Sequence, residues 1–170
     1  MICLVLGTPD SGKSKRAEDL VMELAGAGKK YYIATMIPFG EEGKKRVEKH
    51  RKMREGKGFE TIECTTKIHE LSDTLKDLEA STCLLECMSN LVGNEMHEER
   101  NLERSAEELA DYITDSVMSL SEKAGNMVLV ANTFPLDGEG YDEDTRKYVR
   151  IVDLVNQRLR NKVDEVYELI

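Results

Sequence analysis

Eight residues near the amino terminus, Gly7-Thr8-Pro9-Asp10-Ser11-Gly12-Lys13-Ser14, follow the spacing G-x-x-x-x-G-K-S. The chemistry this P-loop pattern serves is the grip on a polyphosphate. Its glycines let consecutive backbone N–H groups turn inward around phosphate oxygens, Lys13 reaches the β- and γ-phosphates, and the Ser14 hydroxyl holds Mg²⁺. The flanks suit that reading. The apolar run Ile2-Cys3-Leu4-Val5-Leu6 leads in as a strand, and Ala17, Leu20, Val21 and Leu24 recur on one face of a helix that follows. The pattern therefore predicts a nucleoside triphosphate over Gly7–Ser14.

A second candidate lies in the stretch from Lys44 to Lys57, where Lys44, Lys45, Arg46, Lys49, Arg51, Lys52, Arg54 and Lys57 face only Glu48 and Glu55. In helical phase Val47, His50, Arg51 and Arg54 share a face. A histidine among arginines suits a polyphosphate ligand. Nearby cations favour the neutral imidazole, the form able to attack phosphorus, and guanidinium groups stabilise charge developing on phosphoryl oxygens. Composition alone gives the blander alternative of a solvated helix face. His69 and His97 have no such surroundings.

These residues need a frame. Short apolar runs alternate with amphipathic stretches. Strands are expected over Ile2–Leu6, Tyr31–Thr35, Phe59–Cys64, Cys83–Cys87, Met127–Ala131 and Val166–Ile170. Helices are expected over Ser14–Ala27, Glu41–Glu55, Lys67–Glu79, Glu98–Lys123 and Glu143–Val163. In the fourth helix Leu102, Ala106, Leu109, Ile113, Val117 and Leu120 form one stripe; in the fifth, Val149, Val152, Val155 and Leu159 do. The runs at Cys83 and Met127 are apolar at nearly every position, as central parallel strands covered on both faces must be. The alternation predicts an α/β fold of the P-loop NTPase-like (RecA-like) kind, a mostly parallel sheet with helices on both faces. Residues 1–170 show no linker or repeat and are read as one nucleotide-binding domain. In such sheets ligands sit beyond the carboxyl ends of the strands, so the P-loop, the loop after Thr35, Glu86–Asn94 and Asn132–Tyr141 should line the site.

Bulk properties narrow the function further. A net charge of −9 argues against non-specific binding to nucleic acid or an anionic membrane. No apolar run is long enough to span a bilayer, and the amino-terminal run lacks the basic flank of a secretory leader, so a cytoplasmic protein is expected. Cys3, Cys64, Cys83 and Cys87 form no C-x-x-C pair and read as small buried hydrophobes in a reducing compartment.

Several stretches together resemble the bifunctional adenosylcobinamide kinase / adenosylcobinamide-phosphate guanylyltransferase family of cobalamin biosynthesis. They are Gly7 to Glu18; Tyr32-Ile33-Ala34-Thr35; Arg46-Val47-Glu48-Lys49-His50-Arg51; Thr61-Ile62-Glu63; Leu84-Leu85-Glu86-Cys87 with Asn94 downstream; and Val155-Asn156-Gln157-Arg158-Leu159 followed by Asp164-Glu165-Val166. The resemblance implies phosphorylation of adenosylcobinamide by a nucleoside triphosphate, GTP or ATP. It then implies transfer of GMP from GTP to adenosylcobinamide phosphate, giving adenosylcobinamide-GDP. It makes His50 the residue that is covalently guanylylated, with Lys13 as catalytic partner. It carries nucleotide contacts onto Gly7, Thr8, Pro9, Asp10, Ser11, Gly12, Lys13 and Ser14, onto Ala34, Thr35 and Met36, onto Arg51, Lys52, Met53 and Arg54, and onto Glu63 and Glu86. It also implies a homotrimer. A carboxylate can accept both donors of the guanine edge, which adenine cannot offer, so Glu63 or Glu86 could read the base; Glu86, at a strand end, could instead help hold Mg²⁺. The sequence leaves that choice open. The chain departs from the family pattern at Asp10, commonly basic, and at Asn132-Thr133-Phe134-Pro135, where an N-E-V-G stretch is usual. Two other readings are a P-loop kinase without nucleotidyl transfer and a non-catalytic GTP-binding paralogue.

Overall fold

Six segments of five to seven residues, apolar at the centre of the sheet and alternating at its edges, form strands: β1 (Ile2–Gly7), β2 (Lys29–Ala34), β3 (Phe59–Glu63), β4 (Ser81–Glu86), β5 (Asn126–Asn132) and β6 (Glu165–Leu169). The computed structural model describes residues 1–169, so the last residue of the expected sixth strand, Ile170, lies outside the described residues. The strands form one sheet in the order β3-β2-β4-β5-β1-β6, and every pairing is parallel rather than most of them. β4 and β5, the two most uniformly apolar runs, occupy central places, and β5 separates the P-loop strand from the strand that ends in Glu86. This is the α/β, P-loop NTPase-like arrangement expected.

Five α-helices cover the two faces unequally: α1 (Lys13–Ala25), α2 (Gly40–Arg54), α3 (Met88–Met96), α4 (Ala106–Lys123) and α5 (Glu143–Arg160). On one face, Ala17, Leu20 and Val21 of α1 pack on Cys3, Val5, Tyr32, Leu84, Val128 and Val130. On the other, α3, α4 and α5 pack on Leu4, Leu6, Ile33, Leu85 and Leu129. Leu109, Ile113, Val117 and Leu120 of α4 are all 0% exposed, each contributing about 1.5–3 kcal/mol of apolar burial. The polar helix α2 buries only Arg54.

Three expectations need correction. The helix expected over Lys67–Glu79 is instead two 3-10 turns, Ile68–Asp73 and Leu78–Ala80. Ser72 and Thr74 bond back to the carbonyls of His69 and Leu71, offering the backbone an alternative to an α-helix. The fourth helix begins at Ala106 rather than Glu98, because Ser105 and Glu108 form a capping box there, and Leu102 falls outside the buried stripe at 57% exposure. Finally, Cys87, expected to end the fourth strand, lies outside β4, which stops at Glu86; it caps α3 instead, its Sγ accepting from the Asn90 N–H. Of the cysteines, all free, Cys3 and Cys83 are buried but Cys64 and Cys87 only half-buried.

Candidate functional site

The twofold side-chain alternation of strands decides which residues can meet. In register across the sheet, Glu63 lies beside Ala34, Ala34 beside Glu86, and Glu86 beside Val130. Two positions earlier on the same face stand Thr61, Tyr32 and Leu84. Both acids thus end their strands on the face that α1 covers, at the carboxyl edge where the P-loop opens.

The P-loop has the geometry of a phosphate cradle. A Cβ on Gly7 would stand 2.5 Å from Ser11 Oγ and 2.7 Å from the Leu169 carbonyl oxygen, so only glycine fits. Gly12, at φ 89°, turns the chain into α1, whose amino-terminal N–H groups receive no side-chain cap. Asp10 also sits in the left-handed region, at φ 63°. Lys13 is 7% exposed and donates from Nζ to the Thr8 carbonyl at 2.7 Å. Burial pushes its pKa down, partly opposed by Cys87, Glu86 and Asp10. Ser11 Oγ is buried without a hydrogen-bond partner, a group that phosphate oxygens would satisfy.

His50 comes to this same place. Its Nδ1 lies 3.4 Å from Glu86 Oε2, and the Tyr32 hydroxyl donates to that oxygen at 3.2 Å. The expected ring of cations around His50 is therefore incomplete: a carboxylate is its near neighbour. Arg54 seals the contact from above, its guanidinium 3.5 Å from the Tyr32 ring centroid, and Lys57 reaches the buried Glu18 of α1 at 2.9 Å. His50 and Arg54, one helical turn apart, and Lys57 in the turn that follows α2 thus dock an otherwise solvated helix over the P-loop face. Burial raises the Glu86 pKa, while His50 and the hydroxyls of Ser14 and Tyr32 favour its charged form. Its Oε1 is buried and without a partner. Burial likewise raises the Tyr32 pKa.

One cleft of about 670 Å³ joins these parts. It is lined by Pro9, Asp10, Ser11, Gly12, Lys13 and Ser14, by Ala34 and Met36, by His50, Arg51, Met53 and Arg54, and by Glu63 and Glu86. Gly7 and Thr8 stand behind it as the end of β1 and the acceptor for Lys13. Two expected contacts are not brought in. Lys52 is not among the cleft's lining residues; with Glu48 it borders a separate depression on α2, which Lys45, Lys49 and Met53 share with the cleft. Thr35 is 0% exposed and turned away: its hydroxyl donates to the Cys87 carbonyl and accepts from the Cys87 N–H, both at 2.8 Å. Its own carbonyl accepts from Asn94 Nδ2 at 2.7 Å, and the same amide reaches the Thr65 carbonyl at 3.0 Å. Thr35 and Asn94 therefore tie together the ends of β2, β3 and β4.

Asn90 and Asn132 line the cleft from the two segments expected to do so, Glu86–Asn94 and Asn132–Tyr141, whereas Tyr32 lines it without having been singled out in the sequence. Tyr32 had a readable signal, a phenol inside an apolar strand that must find a partner. The block Val155–Leu159 serves structure: Asn156 Nδ2 donates to the Asn132 carbonyl at 3.1 Å and Arg158 Nε meets Asp111 at 2.9 Å. Farther on, Asp164 accepts from the Ile2 N–H at 2.7 Å and so anchors β6 to β1.

Among the described residues no cluster of three or more His, Cys, Asp or Glu side chains gathers for a metal. Ser14 Oγ and the unpartnered Glu86 Oε1 are the oxygens that fit a cation held jointly with phosphates, as Mg²⁺ commonly is. Among these residues no helix is long and apolar enough to cross a membrane.

No curated protein matches the chain. The family model described as cobinamide kinase / cobinamide phosphate guanyltransferase matches residues 3–170. With a P-loop, a histidine and two acids in one cleft, the chain belongs to the cobinamide kinase / cobinamide phosphate guanyltransferase family, whose two activities serve cobalamin biosynthesis.

Proposed function

We propose that GTP lies along the cleft with its β- and γ-phosphates in the P-loop and its guanine toward Glu63, and that His50 is guanylylated. The observation that carries this is the 3.4 Å approach of His50 to Glu86, within the cleft that the P-loop also lines. Glu63 is the better reader of guanine, because its side chain is 76% exposed, with only the exposed Arg51 at 3.8 Å, whereas that of Glu86 is 9% exposed and held between His50 and Tyr32. A carboxylate there accepts from guanine N1–H and the exocyclic amine together.

With the triphosphate gripped by Lys13 and the amides of Gly12 to Ser14, the α-phosphorus is presented to the imidazole. A His50 nitrogen lone pair forms the N–P bond, the bond from phosphorus to the pyrophosphate oxygen breaks, and pyrophosphate leaves. Arg51 and Lys13 offset charge on the phosphoryl oxygens. The phosphate of adenosylcobinamide phosphate then attacks the same phosphorus and releases the histidine. In the kinase step the γ-phosphoryl of GTP or ATP passes to the aminopropanol hydroxyl of adenosylcobinamide, and Lys13 stabilises the transferring group. Mg²⁺, held by Ser14 and Glu86, would neutralise the polyphosphate in both steps. A homotrimer in the cytoplasm completes the reading, checked by analytical ultracentrifugation and cell fractionation.

The test is covalent labelling. Protein incubated with Mg²⁺ and GTP labelled at the α-phosphate, without corrinoid, gives an acid-labile, base-stable adduct that His50→Ala lacks. An unlabelled protein that still binds GTP, or label that survives His50→Ala, sinks the histidine mechanism. The first outcome leaves a kinase that never forms a covalent intermediate.

A further inference from the structure

Within that reading, on which this inference rests, we propose that His50 attacks through Nε2 because Glu86 engages its Nδ1. Glu86 then works as a two-sided carboxylate: Oε2 faces the imidazole and Tyr32, and Oε1, buried and without a protein partner, is left for the phosphate side of the cleft. Its role toward His50 is that of a positioning residue.

The argument begins with how little else orients the ring. α2 buries only Arg54, and the His50 side chain retains 25% exposure. Among the described residues Glu86 is the one side chain that the structure pairs with His50. The carboxylate is itself held. It ends a central strand, in register with Ala34 and Val130, and its Oε2 accepts the Tyr32 hydroxyl at 3.2 Å. The Tyr32 ring is in turn capped by the Arg54 guanidinium, so the helix that carries His50 clamps the residue that steadies its partner.

A carboxylate beside Nδ1 selects the tautomer with the proton on that nitrogen, because only N–H can donate to it. The lone pair is then on Nε2. In the transfer step Nε2 bonds to the α-phosphorus and pyrophosphate departs with the electrons of the broken P–O bond. The positive charge left on the imidazole is spread over both nitrogens, and the Nδ1 proton stays beside the Glu86 carboxylate. When the acceptor phosphate displaces Nε2 the ring returns neutral, with the same tautomer. The opposite choice, attack through Nδ1, would turn a lone pair away from the carboxylate and place the Nε2 proton with no partner.

The linkage isomer reads this directly. The guanylylated protein is digested under basic conditions, the nucleoside is removed, and the phosphohistidine is compared with authentic Nδ1- and Nε2-phosphohistidine standards. The Nε2 isomer is expected. The Nδ1 isomer overturns the inference while leaving the covalent mechanism standing, whereas absence of any adduct overturns both. A second measurement needs neither nucleotide nor metal. In protein labelled with ¹⁵N-histidine, at a pH where the ring is neutral, the His50 resonances show the Nδ1-protonated tautomer. Glu86→Ala, which leaves no acceptor beside Nδ1, shifts His50 to the Nε2-protonated form that free imidazole favours, and slows guanylylation by about 10–100-fold, as losses of a histidine's carboxylate partner do at metal sites. An unchanged His50 tautomer in Glu86→Ala overturns the inference, since a merely structural or cation-binding glutamate would leave the ring's proton where it was.

Discussion

Asn94 does not line the cleft, yet its replacement should disturb the whole carboxyl edge of the sheet. Its amide donates to the Thr35 carbonyl at 2.7 Å and the Thr65 carbonyl at 3.0 Å. Both acceptors are backbone oxygens, so the amide orientation is fixed: only the NH₂ can face them. A buried polar group left unpaired costs about 1–3 kcal/mol, and Asn94 is half-buried, so the lower end applies to each carbonyl. Asn94→Ala should therefore cost about 2 kcal/mol, or about 4–8 °C in Tm for a chain of this size. Asn94→Asp keeps the shape but sets a carboxylate against two carbonyls, and should cost at least as much at pH 7. Because Ala34 and Met36 flank Thr35, and Glu63 lies two residues before Thr65, GTP affinity should fall by up to about tenfold, equivalent to 1.4 kcal/mol. The chain has no tryptophan, so unfolding in urea is best followed by far-UV circular dichroism. An Asn94→Asp protein as stable as the parent would refute the reasoning, because it would mean that the amide nitrogen does not hold these carbonyls.

Other perturbations follow the same logic. Gly7→Ala drives a methyl into the Leu169 carbonyl at 2.7 Å, so nucleotide binding is lost and Tm falls; isothermal titration showing intact GTP binding would contradict the cradle. Lys13→Ala abolishes both nucleotide-dependent reactions, and unchanged turnover would remove the P-loop from the mechanism. His97 donates to Asp144 at 3.0 Å and lies by the Gly93 carbonyl, and these contacts raise its pKa. Its stabilising contribution is therefore fully present below the unfolded value of about 6.5 and is lost as pH rises through the raised folded value. The pair is exposed, so the effect is below about 1 kcal/mol, and His97→Gln should flatten the pH dependence of urea unfolding in that window. Chelation of divalent cations with EDTA should stop label transfer to His50 and added Mg²⁺ restore it; labelling undiminished by the chelator would exclude the cation role given to Ser14 and Glu86.

What the sequence determined by itself was local and periodic. G-x-x-x-x-G-K-S specifies a loop whose conformation depends on glycines at fixed positions, and Gly7 and Gly12 occupy positions no larger or more restricted residue fits. Continuous apolar runs marked β4 and β5 as central strands because a parallel strand buried on both faces has no place for polar residues. The arginine-flanked His50 stood out through residue type and helical phase, and it lines the same cleft as the P-loop. The expected helix at Lys67–Glu79 failed because its Ser and Thr side chains bond to their own backbone, a competition that apolar spacing does not record.

Tertiary structure alone decided which groups face each other. Glu63 and Glu86 were both candidate readers of guanine in the sequence; strand order and register put one at an exposed edge and the other in the interior beside His50. The basic helix promised an imidazole surrounded by cations, but packing supplied a carboxylate, which changes the question from whether the ring is charged to which nitrogen carries the proton. Thr35 looked like a nucleotide contact and became a buried brace, because its side chain points to Cys87 across the adjoining strand end. Such pairings join residues tens of positions apart, and no periodicity within a single segment encodes them; they exist only once the sheet has brought its carboxyl ends together.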